Sequence, residues 1–224
     1  VAKFNTGSEI LKKGLALTPV KFGISFTATH LNQAGALLHV YLDGSVLLNH
    51  GGTEMGQGLH TKVAQVVAEE LQIDIARIRC TATDTSKVPN TSATAASSSS
   101  DLNGKAAEAA ARTIKARLIE FAAVKYGVSE QAVQFKNGQV RVGDKTTLTF
   151  AELVSQAYHA RVSLSATGFY ATPKINYDVK TLTGRPFFYF CYGAAISEVI
   201  IDSLTGESRL LRVDILHDVG RSLN

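Results

Sequence analysis

The sequence predicts an α+β fold: antiparallel hairpins and sheets with two main helices, at about 59–72 and 101–126, packed on one face. Three observations predict it. Asp43-Gly44 and Asn137-Gly138 each sit between short strand-like runs, and both are dipeptides favoured in tight hairpin turns. Leu59, Val63, Val66, Val67 and Leu71 recur at helical intervals and give one apolar stripe, leaving Lys62, Glu69 and Glu70 for water. Residues 101–125 carry the longest helical signal, with small Ala106, Ala107, Ala109, Ala110 and Ala111 beside Ile114, Leu118 and Phe121.

The remaining elements follow in order. Residues 8–17 have weak helical spacing, and 21–29 alternate like a strand. The run 36–48 is strand-like around its Asp43-Gly44 turn, and 75–83 is the next strand candidate. Gly127 ends the alanine-rich helix. Thr149 and Glu152 have the spacing of a capping box before a short helix to about Tyr158. Residues 161–169 read as extended, and the stretch holding Pro173, Gly184 and Pro186 reads as loop. The aromatic run 187–192 fits an aromatic cage, or a strand with one face in the core, which Ile196, Val199, Ile200 and Ile201 favour. A last hairpin turns at 204–207.

With 224 residues, 45% hydrophobic and 19% charged, the chain is long enough for a real core and is not compositionally disordered. A net charge of +4, scattered along the chain, argues against nucleic acid as a partner. No apolar run approaches the roughly 20 residues of a membrane helix. Cys80 and Cys191 lie far apart in strand-like runs and read as buried free thiols, which points to a reducing, cytoplasmic setting. A first residue other than Met, and a last stretch in a loop after a strand, are expected of an internal slice of a longer chain, residues 1–224 of one domain with sublobes at 1–126 and 127–224.

Two loops stand out. His50-Gly51-Gly52-Thr53-Glu54-Met55-Gly56-Gln57-Gly58 runs from a strand into a helix, and backbone without Cβ atoms can approach a ligand closely. The loop 89–100, rich in serine and alanine, empties into the second helix. Two helix N-termini with unpartnered N–H groups can converge on one anion. The glycine loop lacks the Gly-Lys-Ser/Thr of a Walker A motif and the Gly-x-Gly-x-x-Gly fingerprint, and offers the amide of Gln57 instead. Glu54 and His60 read as capping or supporting groups, since no Ser or Cys nucleophile stands at a matching spacing. The six histidines show no paired ligand spacing, so no metal is expected to be held directly.

The run 51–62 (Gly-Gly-Thr-Glu-Met-Gly-Gln-Gly-Leu-His-Thr-Lys), the run 88–97 (Val-Pro-Asn-Thr-Ser-Ala-Thr-Ala-Ala-Ser) and the run 22–27 (Phe-Gly-Ile-Ser-Phe-Thr) together resemble the molybdopterin-binding region of the xanthine dehydrogenase family. Segments at 167–173, 192–195 and 202–206 are similar to the same family in the same order, and His30 with Ala171-Thr172-Pro173 resembles its bacterial form. The resemblance spans nearly the whole chain and implies a molybdenum-cofactor-binding domain of the large subunit. It implies that Met55, Gly56 and Gln57, with Ala95, Ala96, Ser97, Ser98 and Ser99, bind the pterin, and that Phe26 and Thr27 meet the purine.

The implied activity is hydroxylation of xanthine or hypoxanthine, with iron-sulfur clusters, FAD and NAD elsewhere in the assembly. The implied partners are the rest of the large subunit and an iron-sulfur/FAD subunit, in an oligomer. The family's base, a glutamate in Gly-Glu-Pro-Pro, is missing from this sequence, as are its Gly-Gly-Phe-Gly-Gly-Lys-Glu loop and its iron-sulfur cysteine motifs. No catalytic residue is therefore expected here, and the isolated segment is expected to be inactive. An aldehyde oxidase-type hydroxylase and a non-catalytic interaction domain are the alternative readings.

Overall fold

A computed structural model describes residues 1–88 and 90–223; Pro89, within the second motif, and Asn224 lie outside the described residues. The chain divides into two compact units. One joins Val1–Ile24 to Tyr189–Ser222, and the other is built from Ser25–Phe188. The dividing lines fall near residues 24 and 189, because the first strand pairs with a segment more than 160 residues away.

In the first unit a short helix, α1 (Ala2–Gly7), precedes β1 (Leu11–Gly23). β1 pairs antiparallel with β11 (Phe190–Asp202), which pairs antiparallel with β12 (Ser208–Asp218). The weak helical spacing at 8–17 thus belongs to a strand. No residue of these three strands is buried, so no alternating pattern marked them. Pro19 is tolerated because β1 is an edge of its sheet. The aromatic run enters β11, and its expected core face is half-buried at most.

The second unit holds the core. Its main sheet has the order β4-β3-β2-β8, from β2 (Gln33–Val40), β3 (Val46–His50), β4 (Ile78–Cys80) and β8 (Ser165–Ala171). β2 turns into β3 at Asp43-Gly44 as expected. β4 runs parallel to β3, the one departure from antiparallel pairing, because α2 (Leu59–Leu71) crosses between them. Ala34, Ala36, Leu38 and Val40 of β2 and Val46 and Leu48 of β3 alternate into the core.

α3 (Ser99–Tyr126) lies against β8 and β2, with α2 beside it. Its buried alanines let it approach the sheet so closely that a Cβ on Gly168 of β8 would stand 2.0 Å from the Ala106 carbonyl oxygen. Gly127, in left-handed backbone, ends α3. A small sheet of β5 (Val133–Lys136), β6 (Gln139–Val142) and β7 (Thr146–Thr149) follows, its first turn at Asn137-Gly138. The Thr149–Glu152 capping box opens α4 (Phe150–His159). The polar stretch after β8 contains a small hairpin of β9 (Asn176–Asp178) and β10 (Thr183–Arg185).

The strand expected at 21–29 ends at Gly23. Asn32 accepts the Phe26 N–H at 2.8 Å and donates to the Phe26 carbonyl at 2.9 Å, which folds 26–32 into a tight loop. The strand expected at 75–83 shrinks to Ile78–Cys80, because Asp74 caps a single turn of 3-10 helix at Ile75–Arg77.

Candidate functional site

The glycine loop, the serine loop and residues 25–27 of the third motif belong to the second unit, whereas Phe22, Gly23 and Ile24 belong to the first. The glycine loop leaves β3 at His50 and enters α2 at Leu59. Thr83, just beyond β4, donates its hydroxyl to the carbonyls of His50 (3.0 Å) and Gly52 (2.9 Å), and so fixes the base of the loop.

Within the loop most polar groups are already paired. The Glu54 carboxylate accepts the backbone N–H groups of Gly56 (2.8 Å), Gly58 (3.0 Å) and His60 (3.1 Å). These bonds, that from His60 foremost, hold its pKa down at about 2 although the side chain is exposed. Glu54 thereby caps α2 from four residues ahead of Gly58, the helix N-cap. Gln57 accepts the Met55 N–H at 2.6 Å and donates to the Thr53 carbonyl at 2.9 Å. The expected free donors at the start of α2 are therefore directed at a carboxylate of the loop itself. What the loop presents outward is the exposed strip Met55-Gly56-Gln57, where a Cβ on Gly56 (φ +99°) would meet nothing within 4 Å.

The serine loop is different. Ala96 and Ser97 both take left-handed backbone (φ 52° each), a conformation costing non-glycine residues about 1–2 kcal/mol apiece. Ser98 is buried and donates its hydroxyl back to the Ala95 carbonyl at 3.1 Å, so no side chain caps α3. Ala95 and Ser97 are exposed, and Ser99 is half-buried in the first turn. This helix end has no side-chain cap at Ser98, and its first turn carries the acidic Asp101.

The loops meet. Thr53 donates its backbone N–H to Thr94 Oγ1 at 2.8 Å, and a Cβ on Gly51 would collide with the Thr91 side chain at 2.2 Å. Ser92 donates its hydroxyl to the Leu31 and Gln33 carbonyls, joining the serine loop to the turn that carries Phe26. Phe26 is half-buried and Thr27 exposed. Met55, Gly56, Gln57, Ala95, Ala96, Ser97, Ser98, Ser99, Phe26 and Thr27 thus all sit on connected loops. The uncapped end of α3 beside an exposed glycine strip fits an anionic cofactor with an extended planar part, while the half-buried Phe26 ring can cover a flat heterocycle.

The fold also gathers residues that their spacing did not link. One ligand atom each from His50, His60 and Cys80 lies within 4.8 Å of the other two. The two imidazoles meet edge to face, with centroids 5.1 Å apart. Burial pushes the Cys80 thiol up to about 11 and the His50 imidazole down to about 4, so both are neutral near pH 7. Both cysteines are free thiols, and both are half-buried where full burial was expected. Sequence spacing could not reveal this trio, because it depends on the parallel pairing of β4 with β3.

Comparison with known proteins shows the family. The chain is 52% identical to the xanthine dehydrogenase/oxidase of Mus musculus over 224 residues, 100% of this chain and 15% of that protein. It is 47% identical to the xanthine dehydrogenase of Blastobotrys adeninivorans over 225 residues, again 100% of this chain and 15% of the relative. The chain therefore spans about 15% of the length of these relatives. Among solved structures, quinoline 2-oxidoreductase from Pseudomonas putida 86 superposes with a TM-score of 0.82 at 19% identity, covering 100% of this chain and 29% of that one. An aldehyde oxidoreductase from Desulfovibrio desulfuricans superposes at 0.71 and 22% identity, over 99% of this chain and 22% of that one. Both share the fold. A family model described as a molybdopterin cofactor-binding domain matches residues 1–224, and the chain belongs to that family.

Proposed function

We propose that this chain forms part of the pterin cradle and of the substrate wall in a molybdenum hydroxylase acting on xanthine or hypoxanthine. The observation that carries the reading is the joining of three loops: Thr53 to Thr94, and Ser92 to the Phe26 turn. The identity of about half its residues to xanthine dehydrogenases supports the purine over an aldehyde as substrate.

Met55, Gly56 and Gln57 hold one side of the pterin, and Ala95 to Ser99 present the uncapped end of α3 to its anionic groups. When bound, the molybdenum centre supplies insertion of water-derived oxygen at a purine carbon, with electrons leaving through iron-sulfur clusters and FAD to NAD. Phe26 orients the flat ring by stacking, and Thr27 offers a hydroxyl at its edge. The general base and the electron-transfer groups lie outside residues 1–224, on the rest of the large subunit and on an iron-sulfur/FAD subunit. The segment alone therefore turns over no substrate.

In the full assembly, Gln57→Ala removes two bonds that brace the loop and should lower the molybdenum bound per chain. Phe26→Ala should leave molybdenum unchanged and raise KM for xanthine roughly fivefold, the equivalent of about 1 kcal/mol for a lost stack. Unchanged molybdenum content in Gln57→Ala would instead favour an interaction domain in which the loop is only a turn.

A further inference from the structure

Beneath the glycine loop, His50, His60 and Cys80 form a cluster that the cofactor reading leaves without a task. His50 ends β3, His60 opens α2 and Cys80 ends β4 opposite Leu48, so three separate elements bring them together. His50 is 1% exposed, and its Nε2 has no hydrogen-bond partner; the buried Nε2 of His60 has none either. A buried polar atom left unpaired forfeits its hydration without replacement and so destabilises the fold. Two imidazoles and one thiol, each offering a ligand atom within 4.8 Å of the other two, are the donor set of a borderline-soft cation.

We propose that His50, His60 and Cys80 bind a divalent cation of the zinc class, and that its binding opens the glycine loop. The second half follows from the hydrogen on His50. Its Nδ1 accepts the Gly52 N–H at 3.1 Å, so in the neutral ring the hydrogen sits on Nε2. A cation needs the Nε2 lone pair. The Nε2 hydrogen must then leave and Nδ1 take one up, which sets two N–H groups against each other at Gly52. Cys80 gives its thiol proton to solvent as the metal–sulfur bond forms.

The ligand spacing adds to the effect. With metal–nitrogen bonds of about 2.0–2.1 Å and a metal–sulfur bond of about 2.3 Å, tetrahedral ligands stand roughly 3.5 Å apart. A cluster spread over as much as 4.8 Å must close. Metal occupancy and the native turn at Gly52 are thus opposed, and a metal here acts against the cradle. Metal-bound imidazoles usually donate their second ring N–H to an acceptor, whereas the Nδ1 of His50 faces the Gly52 N–H.

The test uses the full-length protein, stripped of loosely held metal and titrated with Zn2+, beside Cys80→Ala and Cys80→Ser. Wild type should bind one more equivalent of zinc per chain than either variant, with X-ray absorption showing one sulfur and two imidazole nitrogens at that added zinc. Hydrogen exchange across 51–58 should speed up on zinc addition in wild type alone. Equal zinc stoichiometry in wild type and both variants overturns the site; an extra equivalent without faster loop exchange overturns the coupling. Neither readout depends on molybdenum or turnover, so the proposal and the cofactor reading can fail separately.

Discussion

Gly168→Ala tests how α3 is held where its first turn can serve the cradle. A Cβ at 168 would stand 2.0 Å from the Ala106 carbonyl oxygen and 2.6 Å from the Ala110 nitrogen, against the 3.4 Å or more of ordinary contact. Both are helix backbone atoms and cannot rotate aside, so α3 must retreat from β8 by about 1.4 Å at Ala106, the difference of the two distances. Overpacking of this kind costs about 1–3 kcal/mol, and immovable backbone puts it near the upper limit. Three kilocalories correspond to roughly a 100-fold loss of protection for the α3 amides in native-state hydrogen exchange. Gly104→Ala is the control. Its Cβ would meet only Val66 at 3.6 Å, inside the same helix, and alanine there should raise protection by about 0.5–1 kcal/mol. Should Gly168→Ala lose less than about tenfold in protection, or no more than Gly104→Ala, the close seating of α3 on the sheet would be wrong.

Other expectations concern the loops and the core. Because bonds from the loop amides hold the Glu54 pKa at about 2, below the ordinary 4.5, its contribution to stability is complete above about 4.5 and is lost as pH falls toward 2. Glu54→Gln should flatten that part of the acid profile followed by exchange of the Gly56, Gly58 and His60 amides, and an unchanged profile would refute the capping role. Thr94→Val removes the acceptor for the Thr53 N–H; exchange at Thr53 should speed up by roughly threefold to tenfold, as for a bond worth about 0.5–1.5 kcal/mol. Leu118→Ala, at a site with no exposure, should cost about 2–5 kcal/mol, while Val124→Ala, 80% exposed on the same helix, should stay within about 0.5 kcal/mol. Protection of the α3 amides reads both.

Elements with local causes were legible in the sequence. The apolar stripe of α2 spans the residues that form the helix, and Leu59, Val63, Val67 and Leu71 are buried as its spacing required. Glu70 is a partial exception, since Lys115 and Arg112 of α3 reach over to pair with it. Asn137-Gly138 turned the hairpin, and Thr149 with Glu152 closed the capping box, because each depends on neighbours within four residues. Long-range pairings were not legible. β1 has no buried face to impose a period, and its partner begins at Phe190. The division of the chain into compact units depends on that pairing, which no local pattern encodes.

In the glycine loop the sequence marked Glu54 as a capping or supporting group, and the structure shows which donors it takes. Gly56, Gly58 and His60 carry N–H groups that composition alone suggested were free, and the residue that takes them, Glu54, lies inside the same motif. A loop that satisfies its own amides needs no ligand to set its shape. Its exposed strip can then meet a cofactor without first reorganising, which lowers the entropic cost of binding. The serine loop holds two left-handed residues, and its N-cap residue Ser98 makes no side-chain cap to the helix that follows, so its shape is not set by its own bonds in the way the glycine loop's is. In the cradle proposed above the two loops therefore differ in kind: the glycine loop would serve as a preformed wall, and the start of α3 as the part whose conformation gains from a bound group.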